Sequence, residues 1–340
     1  MMAISQNVQA GRNLLSTAVE KMVMMKVHRL QLCWCFPAEY MEGDIMSQAS
    51  DFLRKAFKEG DDVRDAGLTT PDDIERFDNI LYGGDPTRQV LDVYRPKEAS
   101  SEKLPVIISI HGGGWVYGDK ERYQYYCMSL AQRGFAVVNY SYRLAPEFRY
   151  PANLEDTNLV AAWVIDHAAQ YGLDIAHIFA VGDSAGANIL ATYAAICTNP
   201  GYASLYEFRV PEGFFFSAIA LNCGAYRMNR ADLLDRLTVI VRKDMVPDGA
   251  SEDEIFSLVS PVDFITPDFP PTLYMTCTGD FLKIQAPILG EKLLEQNIPH
   301  EFHYFVGKDE ELGHVFHLNV RSEDAARCNE IECDYFRRFL

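Results

Sequence analysis

The sequence predicts an α/β protein in which a mostly parallel central sheet is flanked by helices. Three observations carry that expectation. Apolar runs of strand length alternate with helical segments through most of the chain. The run Ile178–Val181 passes through Gly182-Asp183-Ser184-Ala185-Gly186 into a helical stretch, Ala185–Cys197. The run Leu104–Ile110 ends in His111-Gly112-Gly113-Gly114-Trp115. A serine on a tight turn between a buried strand and a helix, with small residues on both sides, has its hydroxyl lifted above the sheet. Consecutive glycines at a strand end cost backbone entropy, which points to unusual dihedrals or to close approach of the backbone to something bound.

The chain has 340 residues, 48% of them hydrophobic, which is ample for one α/β unit carrying an insertion. With 31 Lys+Arg against 48 Asp+Glu, its formal charge of -17 argues against nucleic acid or an anionic membrane as partner. Leu15, Ala18, Val19, Met22 and Met25 recur at helical spacing, and Phe52, Leu53, Ala56 and Phe57 do so in a second segment. Two N-terminal helices are therefore expected, within a segment 1–65 that precedes the sheet domain 66–340. Charges at Glu20, Lys21, Lys26 and Arg29 interrupt the apolar stretch, leaving neither a secretory core nor a membrane span, so a cytoplasmic protein without stable membrane insertion is expected.

Pro71–Asp78 introduces the sheet, and Gln89–Tyr94 alternates as a strand after the turn Gly83-Gly84-Asp85-Pro86. Phe135–Tyr140 reads as a buried strand, with helices around Tyr123–Arg133 and Leu154–Tyr171. Beyond Ser184, Ser217–Cys223 and Thr272–Thr278 read as further strands. Between them, residues 227–269 mix charged helical pieces, a Ser251-x-x-Glu254 capping box and several prolines without a buried strand, so this stretch is expected to form a helical cap. Eight cysteines are scattered, several within apolar patterns, and read as reduced thiols. Cys33 and Cys35 have no second pair at zinc-site spacing, and no metal or cofactor is demanded.

The glycine loop and the serine turn together point to acyl transfer. Backbone N–H groups of Gly112, Gly113 and Gly114, with that of Ala185, form a candidate oxyanion hole, each donor worth about 2.7–4 kcal/mol of barrier. Gly112 either lends its N–H or only shapes the loop, and Trp115 is expected to pack beneath it. Ser184, the nucleophile, needs a base, and the base needs an acid to orient it. Asp280 directly follows a buried strand, in Thr276-Cys-Thr-Gly279-Asp280, whereas Asp263 and Asp268 lie in Pro-rich connections. His300 and His303 flank or lie within the strand Glu301–Val306; His314 lies in the loop after it, with His317 as the rival three residues on. His314 is the base expected here.

Three motifs in one order carry a family resemblance: His111-Gly-Gly-Gly-Trp115 with Gly118, Tyr142-Arg-Leu-Ala-Pro-Glu147 followed by Tyr150-Pro-Ala, and Gly182-Asp-Ser-Ala-Gly186. Over Leu104–Cys197, and more loosely to the C-terminus, the chain resembles the hormone-sensitive-lipase-like carboxylesterases of the α/β-hydrolase superfamily. The resemblance implies an α/β-hydrolase fold with a helical cap, to which N-terminal helices contribute, and a Ser-His-Asp hydrolase acting on a small-molecule ester, probed best with short acyl chains. Two features depart from the family pattern. The usual His-Gly-Phe is Gly313-His314-Val315-Phe316, and the acidic pair often found shortly after the acid is absent in Phe281-Leu-Lys283. The Tyr142–Glu147 stretch offers no attacking group and is expected to brace the glycine loop. An amide or formamide hydrolase on the same triad, or a non-catalytic small-molecule-binding protein, is the alternative, and a homodimer is left open.

Overall fold

The computed structural model describes residues 45–99, 102–308 and 310–340. Its centre is an eight-stranded sheet made of β1 (Ile74–Leu81), β2 (Val90–Pro96), β3 (Leu104–Ile110), β4 (Ala136–Tyr140), β5 (Leu173–Asp183), β6 (Ala218–Asn222), β7 (Thr272–Cys277) and β8 (His300–Phe305). The spatial order is β1-β2-β4-β3-β5-β6-β7-β8. β1 and β2 run antiparallel, as do β2 and β4, while every pair from β4–β3 to β7–β8 is parallel.

Helices occupy both faces, and this is why the central strands are apolar runs without alternation. Along β3, Val106, Ile108 and Ile110 enter one core, while Ile107 enters the core on the opposite face. The first core holds α3 (Ala152–Asp166), α5 (Ala185–Thr198) and α9 (Gln285–Glu295); the second holds α2 (Lys120–Ala131) and α10 (Glu323–Arg337). Short helices α4 (Ala168–Tyr171) and α6 (Pro200–Ala203) follow α3 and α5. Ahead of the sheet lies α1 (Ile45–Asp65), which contains the expected Phe52–Phe57 segment.

Three local expectations change. β2 is buried on both faces rather than alternating, because it lies between β1 and β4. A strand, β1, begins within the approach Pro71–Asp78 and runs on to Leu81, and its mixed and half-exposed sequence hides its pairing with β2. The helix expected over Leu154–Tyr171 breaks at His167, whose φ of -108° and ψ of 9° interrupt it before the left-handed Gly172 ends the second piece.

Residues 227–269 contain no strand. They form α7 (Arg236–Val241), α8 (Glu252–Leu258) and 3-10 turns at Ala231–Leu233, Arg242–Met245 and Pro261–Asp263. Ser251 caps α8 by accepting the N–H of Glu254, as the capping box requires. Cys127, Cys197, Cys223, Cys277, Cys328 and Cys333 are free thiols. The expected first N-terminal helix, Cys33 and Cys35 lie outside the described residues. Among the described residues no helix is long and apolar enough to cross a membrane.

Candidate active site

Ser184 stands between the end of β5 and the start of α5 with φ of 52° and ψ of -116°. For a residue with a side chain this backbone costs on the order of 1–3 kcal/mol, so it is held only because its surroundings over-determine it. Three constraints do so. The Ser184 N–H donates to the Asn222 carbonyl at 2.9 Å, its carbonyl accepts the Asn188 N–H at 3.2 Å, and Gly186 passes so close to β3 that a Cβ there would lie 2.1 Å from the Ile110 carbonyl oxygen.

The glycine loop folds on the carbonyl of Gly113, which accepts the N–H groups of Val116 and Tyr117 at 3.2 and 3.0 Å. At Gly113 φ is 113°, and a Cβ would lie 2.1 Å from the Tyr117 carbonyl oxygen, so only glycine fits. Beneath it, His111 is fully buried, stacked on Tyr142 at 4.0 Å, and burial pushes its pKa down to about 4. The Tyr142 hydroxyl donates to the His111 carbonyl, and the Ala145 N–H to the Trp115 carbonyl, each at 3.0 Å. The Tyr142–Glu147 stretch thus braces the glycine loop, and Trp115 is buried. One expectation is corrected. The Gly112 N–H donates to the Tyr123 hydroxyl at 2.8 Å and is therefore committed to the scaffold instead of an oxyanion. Gly113, Gly114 and Ala185 remain as candidate donors.

Asp280 and His314 meet because the loops after β7 and β8 are tied together. Gly279 and Gly313 form a parallel bridge, and the Gly279 N–H donates to the Leu312 carbonyl at 2.9 Å. His314 Nδ1 then lies 2.7 Å from Asp280 Oδ1. That oxygen also accepts the Leu282 N–H at 2.9 Å, and Oδ2 accepts the Thr276 hydroxyl at 2.5 Å. Burial works to raise the Asp280 pKa, but the facing His314 and these hydrogen bonds outweigh it and hold the carboxyl below its ordinary range. The Phe281 ring packs 4.1 Å from that of His314.

His317, the rival, belongs to the core. It is 1% exposed, its ring meets Tyr126 edge-on at 5.0 Å, neither ring nitrogen has a hydrogen-bond partner, and burial pushes its pKa down to about 3. His300 and His303 stand on β8, where His300 faces the Ile298 carbonyl and His303 faces Glu301. Cys223, Asp280 and His314 bring potential ligand atoms within 4.8 Å of one another. The carboxyl oxygens and the Nδ1 of that group are already paired as described, so the hydrogen-bonded arrangement accounts for them without an ion.

Sequence reasoning missed three supporting residues. Tyr123 donates to Asp183 Oδ2 at 2.8 Å while accepting from Gly112. Asn222 holds the Ser184 amide. Arg54 of α1 donates from Nε to the Val116 carbonyl at 2.7 Å, from Nη2 to the Ala145 carbonyl at 2.9 Å, and pairs with Glu147. Each of these contacts spans a long sequence separation, and no local pattern marks them. A surface cleft of 550 Å³ lined by Asn79, Arg88, Asp119 and Glu121 contains none of the motif residues.

A doubly covered, mostly parallel sheet with a strained serine after β5, an acid after β7 and a histidine after β8 defines an α/β-hydrolase. Comparison with known proteins agrees. The family model BD-FAE matches residues 91–286. The chain belongs to this family, within the hormone-sensitive-lipase-like carboxylesterase branch of the α/β-hydrolase superfamily. It is 31% identical to esterase LipC of Mycobacterium tuberculosis over 214 residues, 59% of this chain and 50% of LipC, so it spans about half the length of that relative. It is 29% identical to versiconal hemiacetal acetate esterase of Dothistroma septosporum over 237 residues, 63% of this chain and 69% of that enzyme. Esterase B from Lactobacillus rhamnosis, solved with a C6-C4 SN3 inhibitor, shares the fold with a TM-score of 0.78 at 22% identity, covering 87% of this chain and 97% of that one.

Proposed function

We propose that this protein is a serine hydrolase that cleaves carboxylic esters with short acyl chains through an acyl-enzyme on Ser184. The observation that carries the reading is the pairing of His314 with Asp280, taken together with the strained turn that holds Ser184. Asp280 holds His314 Nδ1, which leaves Nε2 to take the Ser184 proton as the hydroxyl attacks the ester carbonyl. The N–H groups of Gly113, Gly114 and Ala185 receive the oxyanion. His314 returns the proton to the leaving alcohol, then activates the water that releases the acid.

The short-chain preference rests on a cap formed by the N-terminal segment and residues 227–269. Leu53 of α1 and Val241 of α7 both overhang the glycine loop, since a Cβ on Gly114 would lie 3.5 Å from a methyl of each. The Ser50 hydroxyl also donates to Asp244 across these two segments. Relatives point the same way: one is named for an acetate ester, and one solved neighbour is described with a tributyrin phosphonate. A closed hydrophobic pocket gains about 1–3 kcal/mol per methylene it encloses and nothing beyond, so activity is expected to rise and then fall with chain length. Labelling with a fluorophosphonate probe, followed by p-nitrophenyl esters of increasing chain length, tests both parts. The expected optimum of kcat/KM lies between acetyl and hexanoyl. A rate that climbs steadily to palmitoyl with activation at a lipid surface refutes the closed cap; faster hydrolysis of matched amides favours the amidase alternative. Absence of labelling favours the binding-protein alternative.

The reading includes a cytoplasmic location, supported by the free thiols of the described cysteines. It also includes a homodimer, supported by β8, a sheet edge among the described residues, with Phe302 and Tyr304 on it and Val306 just after it exposed.

A further inference from the structure

Glu332 lies on α10 and is 0% exposed. A carboxyl sealed from water carries a desolvation penalty of several kcal/mol unless it is fully paired, and an apolar residue of similar volume is often at least as stabilising. Both oxygens of Glu332 are used. Oε2 accepts the Tyr126 hydroxyl at 2.8 Å, and Oε1 accepts the side-chain amide of Asn222 at 2.5 Å. Burial pushes its pKa up to about 7 in spite of those bonds. Asn222 is the last residue of β6, opposite Asp183 in the strand pairing, and its carbonyl takes the Ser184 N–H. The same helix that supplies Tyr126 supplies Tyr123, one turn earlier, to Asp183 and Gly112. Hydrogen bonds from α2 and α10 therefore converge on the residue before Ser184, on the residue that holds its amide, and on the glycine loop.

We propose that Glu332 is a positioning residue for the nucleophile: it fixes Asn222, and Asn222 fixes the strained turn that carries Ser184. It touches neither substrate nor the reacting atoms. Its effect is to stop the end of β6 from relaxing, which would let the Ser184 backbone leave its unfavourable dihedrals and swing the hydroxyl off the line of attack. A displacement of about 1 Å at a reacting group costs on the order of 10²-fold in rate.

The inference rests on the esterase reading, and the test separates the two. Glu332→Leu, Glu332→Gln, Asn222→Ala, Tyr126→Phe and the Asn222→Ala/Glu332→Leu double variant are compared for Tm, for kcat and KM on p-nitrophenyl acetate, and for the rate of fluorophosphonate inactivation. In Glu332→Leu, kcat and the inactivation rate are expected to fall about 10- to 100-fold with KM unchanged. Glu332→Gln is expected to recover most of the rate, because its carbonyl can accept from Tyr126 while its amide donates to Asn222 once the Asn222 side-chain amide turns over to present Oδ1, which has no partner in the native arrangement. Tyr126→Phe is expected to lower Tm but to leave kcat within about threefold, and the double variant is expected to be no slower than the worse single one. If Glu332→Leu does not fold, Asn222→Ala carries the test, with the same expected loss of kcat. A wild-type kcat and inactivation rate in folded Glu332→Leu or Asn222→Ala, or losses that add in the double variant, overturn the positioning role while leaving the esterase reading intact. A wild-type protein that neither labels nor hydrolyses esters overturns both.

Discussion

At the scale of single residues, two histidines three positions apart stand in different surroundings. His314 faces Asp280, whereas His317 is enclosed against Tyr126. Ser184→Ala and His314→Ala are each expected to lower kcat by about 10⁶, with a Ser184/His314 double variant hardly worse than either. His317→Ala is expected to keep kcat in the folded protein and to lose about 2–4 kcal/mol of stability through the cavity it leaves. Crippled turnover in folded His317→Ala, with His314→Ala mild, would reverse the assignment. His317 also sets a pH dependence. Its native pKa is near 3 and its unfolded value is 6.5, so the unfolded chain binds more protons below pH 6.5. The stabilisation from keeping it neutral is present above pH 6.5 and is lost as pH falls toward 3, by at most about 1.4 kcal/mol per pH unit. Urea midpoints between pH 7 and 5 should therefore drop less for His317→Phe than for wild type; parallel curves would contradict this. The sequence already favoured His314 over His317 within one loop, but what brings that loop to Asp280 is the Gly279–Gly313 bridge, which pairs residues 34 apart. Likewise Gly112 and Gly113 are equivalent as letters. Only the Tyr123 hydroxyl, from another element, distinguishes them.

At the scale of elements, the central strands were legible because burial on both faces leaves them almost wholly apolar, and G-x-S-x-G and H-G-G-G mark where β5 and β3 end. β1 was not, since Glu75, Arg76, Asp78 and Asn79 give it the composition of a loop, and its strand character comes from pairing with β2. The contact of α1 and α7 with the glycine loop was equally hidden, because amphipathic periodicity shows that a helix has a buried face without showing what that face meets. The contact makes a prediction. Leu53→Ala and Val241→Ala open space beside Gly114 and should move the preferred acyl chain longer by one or two methylenes, with kcat/KM for the longer ester rising about 10-fold. An unchanged chain-length profile in both variants would place the acyl chain elsewhere.

At the scale of the whole molecule, formal charge and sheet edge act against each other. At -17 two copies repel, while the exposed Phe302 and Tyr304 of β8, with Val306 just after it, favour burial against a partner strand. If the homodimer uses this edge, sedimentation velocity should show its fraction growing with salt, as screening removes the repulsion, and Tyr304→Lys should abolish it. A monomer at every salt concentration rules the dimer out.

The order in which the loops occur has a consequence during synthesis. Ser184 and its glycine loop leave the ribosome well before the Gly279–Gly313 bridge can close, and Glu332 emerges later still. A nascent chain halted before residue 314 has emerged carries Ser184 without His314, the proposed base. Stalled chains of graded length, exposed to the fluorophosphonate probe, should stay unlabelled until His314 has cleared the exit tunnel and should reach full reactivity only after α10 can dock. If the proposed triad holds, the growing polypeptide cannot attack esters before its fold is complete.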